Sequence, residues 1–347
     1  MDLTSKDISW PRVSVCILTF NRKDALKITL DKVLHKLDYP KDRIEVIVCD
    51  NDSTDGTAEM LTQSFPSVTH LKMPTNLWTQ AWNWGFANSR GKYFLVLDDD
   101  AHIQGNTLKK AVKFLEQEKD AGILSFNVID PATQYSYTLY YPLGIFSFWG
   151  CAVVIRKDLV ETVGGFDPNI RIYSHEPDFV IRASKSGYRH HVMIDSIAFH
   201  RKDPSVYNQF DDFKLLQSHI SEHYTYLKHL HSYSYWKYLI NALITSTSMA
   251  IWLTVDKKKI NFIPITSLIK AWRLSRKSKY KRDDHVERYI FENDIRCLTK
   301  KVAFHIGQKL LGRSIKRFYE SRVELYPDYN EKYFQKWVPY DDAEDSV

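Results

Sequence analysis

The chain has 347 residues, of which 44% are hydrophobic and 26% charged, with a formal net charge of +6. That balance is ordinary for a folded soluble protein, so disorder is not the default, and the length suits one large α/β domain with an appendage, or two domains. All of the excess positive charge lies beyond residue 200, which predicts an acidic surface or partner for the C-terminal region and not a generally basic protein.

The opening MDLTSKDISWPR has no apolar signal core and does not read as a secretory leader. Residues 12–20 (RVSVCILTF) are a β-branched run that predicts a strand, and 24–37 have helical periodicity. Residues 44–49 (IEVIVC) predict a second buried strand, followed by a polar loop and a short helix at 58–64. A third strand is expected at 68–72, a helix at 78–89, and a fourth strand at 92–97 (KYFLVL) that runs straight into Asp98. A helix near 106–118 and strands at 122–129 and 188–194 follow, the last ending near Phe199 and His200. Strands alternating with helices predict an α/β fold with a mostly parallel sheet covered on both faces. Ligands of such sheets bind beyond the carboxyl ends of the strands. Beyond Asp203 the pattern changes to long helical stretches, so the chain divides into 1–204 and a helical, basic 205–347.

Cys16, Cys49, Cys151 and Cys297 lie far apart and match no metal or redox spacing. Cys16 and Cys49 fall inside apolar runs, where a free thiol behaves as a small hydrophobe. A reduced, cytoplasmic chain is the simplest expectation.

Three polar clusters fall at predicted strand ends: Thr19-Phe20-Asn21-Arg22, the run from Asp50 to Thr57, and Asp98-Asp99-Asp100. Residues i and i+2 of a strand point the same way, so Asp98 and Asp100 can face one ligand. A divalent cation held by such carboxylates neutralises a departing diphosphate; a solvated acidic loop is the plainer alternative. Asp50 directly ends a buried run, where a carboxylate can accept a hydrogen bond from a nucleotide base or a ribose hydroxyl. The rest of its cluster also suits turns and helix caps. Glu176 is a poor N-cap type and could serve as general base towards an acceptor hydroxyl, a step worth ~10²–10⁴ in rate. Pro177 suits the first position of a helix, with acids beside it at the positive end of the dipole. His200 ends an apolar run, as a structural residue or as a ligand to metal or phosphate.

In this order VSVCILTFNR (13–22), VCDNDSTDGT (48–57), GKYFLVLDDD (91–100), Gly164–Asp167 and His175–Arg182 resemble the inverting family 2 glycosyltransferases of the GT-A fold. The resemblance covers about residues 11–200. It implies nucleotide-sugar binding by Thr19, Asn21, Arg22 and Asp50, joined by Asp98 and Asp99, with UDP as the family's habitual nucleotide. Asp100 would be the main ligand of Mn2+ or Mg2+, with Asp98 facing ribose or metal and His200 a further candidate. Glu176 falls at the family's catalytic carboxylate, and Asp178 and Arg182 match the positions after it. Trp149 and Gly150, with Asp178, would line the acceptor pocket. A nucleotide-sugar donor and a glycan or lipid-linked acceptor would be the partners, in surface glycan or polysaccharide synthesis. One departure stands out: the family's Asn-x-Gly reads Asn76-Leu77-Trp78 here, within WTQAWNW. Helical spacing would put Trp78 and Trp82 on one face, for core packing or as a sugar or base platform. The Gln-x-x-Arg-Trp motif of processive synthases is absent from the sequence, which favours single-sugar transfer. The rival classes are a sugar nucleotidyltransferase, whose Gly- and Arg-rich phosphate loop TFNR does not match, and an inactive carbohydrate-binding scaffold.

Residues 238–255 (YLINALITSTSMAIWLTV) carry no charge. At ~1.5 Å per residue they reach about 27 Å, against a hydrocarbon core of ~30 Å. Asn241 and the run Thr245-Ser246-Thr247-Ser248 oppose insertion, so a buried or interfacial helix is expected and not a span. Residues 256–282 hold ten Lys or Arg and one acid, interleaved with apolar residues and Trp272. That suits an anionic membrane surface or a solvated charged helix. No nucleic-acid motif accompanies the charge. Residues 341–347 are acidic and expected to be unstructured.

Overall fold

The computed structural model describes residues 10–140, 147–201, 212–230, 232–256 and 260–277. The basic run beyond 277, Cys297 and the acidic tail lie outside the described residues.

The β-branched runs become strands as their composition predicts: β1 (Val13–Thr19), β2 (Ile44–Asp50), β3 (Thr69–Lys72), β4 (Tyr93–Asp98), β5 (Ala101–Ile103), β6 (Ala121–Ile129), β7 (Ala152–Arg156) and β8 (Arg189–His200). Between them lie α1 (Lys23–His35), α2 (Thr57–Ser64), α3 (Ala81–Ala87), α4 (Thr107–Gln117), α5 (Tyr137–Tyr140), α6 (Lys157–Val163) and α7 (His175–Lys185). The strands form one eight-stranded sheet in the order β3-β2-β1-β4-β7-β6-β8-β5. Period-2 alternation explains why its strands read as unbroken apolar runs. Val15, Ile17, Leu95 and Leu97 face a core with Leu26 and Leu30 of α1 and Leu108 and Val112 of α4. Cys16, Phe94 and Val96 face the opposite core with Trp82, Phe166 and Phe179.

The sheet is mixed, with four of its seven strand pairings parallel, as the expectation of a mostly parallel sheet allows. Pairs β1–β2, β1–β4, β2–β3 and β6–β8 are parallel, but β7 runs antiparallel to both β4 and β6, and β5 antiparallel to β8. The reversal has a positional consequence. An antiparallel β7 brings its N-terminal end, with Trp149 and Gly150 just before it, to the rim where β1, β2 and β4 end.

The C-terminal region is helical where described: α8 (Asp212–His229), α9 (Ser232–Asp256) and α10 (Ile263–Ser275). Tyr224 and Leu227 of α8, Tyr238 and Ala242 of α9, and Leu268 and Ala271 of α10 are buried in the same core as Phe166 and Phe179. The expected division at 204/205 falls among residues outside the described ones, and the core continues across it. No helix among the described residues is long and apolar enough to cross a membrane.

The tryptophan segment departs from the expected single helical face. Residues Trp78–Gln80 form a 3₁₀ turn, and Trp78 takes a left-handed φ of 58°. Trp82 is buried against Phe166 and His175, whereas Trp84 is exposed and Trp78 rests against Phe213.

Candidate active site

Register sets the rim. Thr19 pairs with Asp50 and Leu18 with Asp98, so the three polar clusters finish level on adjacent parallel strands. Two of the loops are joined directly: Asn21, in a left-handed turn (φ 52°), accepts from the Thr54 amide at 2.8 Å, and its own amide donates to Ser53 Oγ at 2.9 Å. Asp50 is fully buried. Its Oδ1 accepts from the Ser53 amide and its Oδ2 meets His70 Nε2, both at 2.9 Å. Burial would raise its pKa, but the hydrogen bonds from His70 and Ser53 outweigh this and lower it. Asp50 therefore shapes the loop with both oxygens, each of which keeps a further lone pair for a ligand.

The aspartate triplet is an acidic cluster around one guanidinium. Arg22, at the N-cap of α1, reaches Asp99 Oδ1 at 2.9 Å and Asp100 Oδ2 at 2.7 Å. Thr19 Oγ1 donates to Asp99 Oδ2 at 2.9 Å, and Thr29 Oγ1 donates to the Asp99 carbonyl at 2.6 Å, holding the turn that follows β4. His200 ends β8 beside β5, with its Nε2 3.1 Å from Asp100 Oδ1 and 3.9 Å from Asp98 Oδ2. Arg201 donates its amide to the Asp100 carbonyl at 2.9 Å. Burial, then Asp100 and Asp99, push Asp98 well above the usual carboxylate range. Burial also lifts Asp99 to about 7 despite Arg22. Asp100 goes the other way: burial is outweighed by His200 and Arg22, and its pKa falls to about 2.

Ligand atoms of Asp98, Asp100 and His200 lie within 4.8 Å of one another. Two carboxylates and an imidazole are a suitable donor set for Mn2+, and the carboxylates also suit Mg2+. The charge balance fits as well, because the crowding of carboxylates that raises the pKa of Asp98 is relieved by a cation. These residues fit a divalent metal.

Glu176 lies in the first turn of α7, with its side chain 17% exposed. Two consecutive left-handed residues, Tyr173 (φ 58°) and Ser174 (φ 57°), turn the chain into the helix. The helix starts at His175, so Pro177 occupies its third position and not the first; a missing N–H is harmless there too, because the first four are unpaired within a helix. His175 Nδ1 lies 3.2 Å from Glu176 Oε2. Glu176 is near enough to the triplet for its charge to oppose ionisation of Asp98. Gly150 is pressed against it: a Cβ added at Gly150 would lie 2.6 Å from Glu176 Oε1. Trp149 is half-buried against Tyr137, with ring centroids 5.4 Å apart.

Asp178 is the residue the structure moves away from its expected place. Expected to face an acceptor, it is 0% exposed and belongs to an internal ion network. Arg182 Nη2, Lys228 Nζ and His229 Nε2 lie 2.9, 2.5 and 2.8 Å from its carboxylate. Burial raises its pKa, but Arg182, Lys228 and His229 drive it well below the usual range. Lys228 also reaches Asp167 Oδ2 at 2.5 Å, and Tyr224 Oη donates to the same atom at 3.1 Å. The helix carrying Glu176 is thus gripped from α8. Sequence reading missed Lys228, His229 and His70, because a single buried base carries no local pattern that separates it from a solvated one.

A family model described as Glycosyl transferase family 2 matches residues 14–157. The chain is 28% identical over 204 residues to YdaM of Bacillus subtilis, a probable glycosyltransferase; the match covers 51% of this chain and 48% of that protein. It thus spans about half the length of that relative. Among solved structures, the mannosyltransferase PcManGT from Pyrobaculum calidifontis, in complex with GDP-Man and Mn2+, matches at a TM-score of 0.53 and 18% identity, with 88% of each chain covered. S. aureus TarS 1-349 in complex with UDP-GlcNAc matches at 0.52 and 17% identity, covering 75% of this chain and 79% of that one. Likeness at these identities establishes the GT-A fold.

Proposed function

We propose, from the match of residues 14–157 to the model of glycosyl transferase family 2, that this chain transfers one sugar from a UDP-sugar to an acceptor hydroxyl with inversion, using Mn2+ or Mg2+. The observation that carries the reading is one rim holding a metal-type donor set, Asp98, Asp100 and His200, within electrostatic reach of Glu176. Solved GT-A relatives holding UDP-GlcNAc, or GDP-Man with Mn2+, support a nucleotide-sugar as the donor class.

In this reading Thr19, Asn21, Arg22 and Asp50 form the floor for the nucleotide, with Asp98 and Asp99 at its diphosphate end. Asp98, Asp100 and His200 hold the cation, which when bound neutralises charge on the leaving diphosphate. Glu176 takes the proton from the acceptor hydroxyl. That oxygen bonds to the anomeric carbon from the face opposite the diphosphate as the carbon–oxygen bond to UDP breaks. Trp149 and Gly150 border the acceptor. Asp178 touches no acceptor and holds α7 in place. The acceptor is a glycan or lipid-linked sugar of surface polysaccharide synthesis, met on the cytoplasmic face of an anionic membrane. Among the described residues Cys16 and Cys49 are free, buried thiols, which accords with a reducing compartment.

Calorimetric titration of UDP with and without Mn2+, followed by transfer assays over a panel of UDP-sugars, tests this. Glu176→Gln should keep UDP binding and lose ~10²–10⁴ in turnover. Full turnover in that variant would remove Glu176 from the role, and metal-indifferent UDP binding would remove the Asp-His cluster.

A further inference from the structure

Helix α9 has its bulky residues on the outside. Its inward positions are Tyr238, Ala242, Ser246, Ala250 and Leu253, three of them small. Its outward positions are Trp236, Ile240, Leu243, Ile244 and Ile251, from 54% exposed at Leu243 to 63% at Ile251. At 3.6 residues per turn these five fall within one arc of about 100°, opposite the buried set. A helix docked on a soluble core normally shows the reverse arrangement.

The polar groups of α9 hold this orientation. Tyr238 Oη lies 2.8 Å from His223 Nδ1, and Ser246 Oγ 3.5 Å from His223 Nε2. Rotating the helix to bury its large residues would break both contacts. The hydroxyls nearest the outward face are satisfied within the helix itself: Thr247 donates to the Leu243 carbonyl at 2.8 Å, and Ser248 to that of Ile244 at 2.9 Å. The hydroxyls that count against insertion in the sequence therefore need no water.

Helix α10, packed against α9, adds exposed apolar residues and charge. Phe262 and Ile269 are exposed, as are Lys270, Arg273, Arg276 and Lys277, and helical spacing gathers all six on one side. Its first half is apolar and its last turn basic. Soluble surfaces rarely expose contiguous apolar patches of this kind without a partner.

We propose that the outward face of α9, continued by Ile260 and Phe262, seats in the headgroup–acyl boundary of an anionic lipid surface, with the basic end of α10 against the headgroups. The helix lies in the membrane plane, since no described helix is long and apolar enough to cross. A second copy of the chain is the poorer occupant, because an isologous contact would present the same positive charges from both sides, with no acidic counterpart of the kind that anionic headgroups supply. The proposal deepens the reading of a membrane-presented acceptor and rests on it for its purpose, but not for its test.

Flotation of the full chain with phosphatidylcholine vesicles, with and without phosphatidylglycerol, provides that test. Binding should require the anionic lipid and weaken at high salt. The triple variant Ile240→Asp, Ile244→Asp, Ile251→Asp should keep its helicity and partition at least ~10-fold less. Lys270→Glu with Arg273→Glu should lose the dependence on phosphatidylglycerol. Wild-type flotation by the triple variant overturns the proposal, as does failure of the native chain to float, or a native dimer that the triple variant dissociates. Mn2+-dependent UDP binding, measured without vesicles on the same samples, reports separately on the enzymatic reading.

Discussion

Replacing Gly150 with alanine probes the placement of Glu176 with one methyl group. The added Cβ would lie 2.6 Å from Glu176 Oε1 and 3.2 Å from His175 Nε2, where an ordinary contact needs 3.4 Å or more. The Glu176 carboxylate must therefore retreat by about 0.8 Å. As the end of a flexible side chain it can do so at little cost in stability. Catalysis is less forgiving, since a misplacement of about 1 Å costs ~10²-fold in rate, or ~2.7 kcal/mol of transition-state stabilisation. Gly150→Ala should thus lower kcat about 100-fold, leave UDP affinity within about twofold, and shift the melting temperature by only ~1–2 °C. Steady-state transfer kinetics, calorimetry and thermal melting together read all three. A kcat within twofold of wild type would refute the reasoning, because Glu176 would then not need its observed position.

Asp100→Asn, or chelation by EDTA, should weaken UDP binding at least ~10-fold, with little loss once Mn2+ is already absent; equal losses with and without Mn2+ would deny a metal role. Lys228→Met leaves Asp167 and Asp178 buried without their shared cation, a change that costs ~3–5 kcal/mol. Melting should fall by roughly 10 °C, and a fall under ~2 °C would mean that the network is water-filled. Burial, then His219, lowers His223 to about 3, below the ordinary ~6.5 of the unfolded chain. The native state thus binds fewer protons, and this stabilisation is present above pH ~6.5 and lost towards pH ~3. Between pH 7.5 and 5 the loss should be about 2 kcal/mol in urea unfolding, and His223→Gln should remove that part of the slope.

Period and polarity made the acidic rim legible. Short β-branched runs such as IEVIVC and KYFLVL, bounded by polar loops, fit strands buried on both faces, and a strand that ends in Asp50 or Asp98 places it at the sheet edge. What the runs do not contain is direction. Nothing in AVVIR distinguishes an antiparallel β7 from a parallel one, because side-chain alternation is the same for both. Long-range ion pairing is equally silent. Asp178 reads as the acid after a catalytic Glu, and only the fold shows that Lys228 and His229, some fifty residues on, enclose it. Trp78 misled for a local reason: helical spacing assumed a helix, and the chain instead makes a left-handed turn at that residue.

The grip of α8 on α7 bears on where the folded unit that carries the rim ends. The family match stops at residue 157, before Glu176, and the change of sequence pattern falls near 205. A chain ended after residue 204 would keep every residue proposed for donor, metal and base. It would nevertheless uncover Phe166, Ile170 and Phe179, all buried in a core shared with Tyr224, Leu227 and Leu230. At ~1.5–3 kcal/mol for each side chain returned to water, those three approach the ~5–15 kcal/mol that holds a typical domain together. Loss of Lys228 and His229 would also strand Asp167, and leave Asp178 with Arg182 alone. The shortened chain should therefore neither unfold cooperatively nor transfer sugar, even though its rim is intact in sequence. Cooperative melting of residues 1–204 within ~5 °C of the full chain would show instead that the helices are an appendage and that α7 needs no hold from outside.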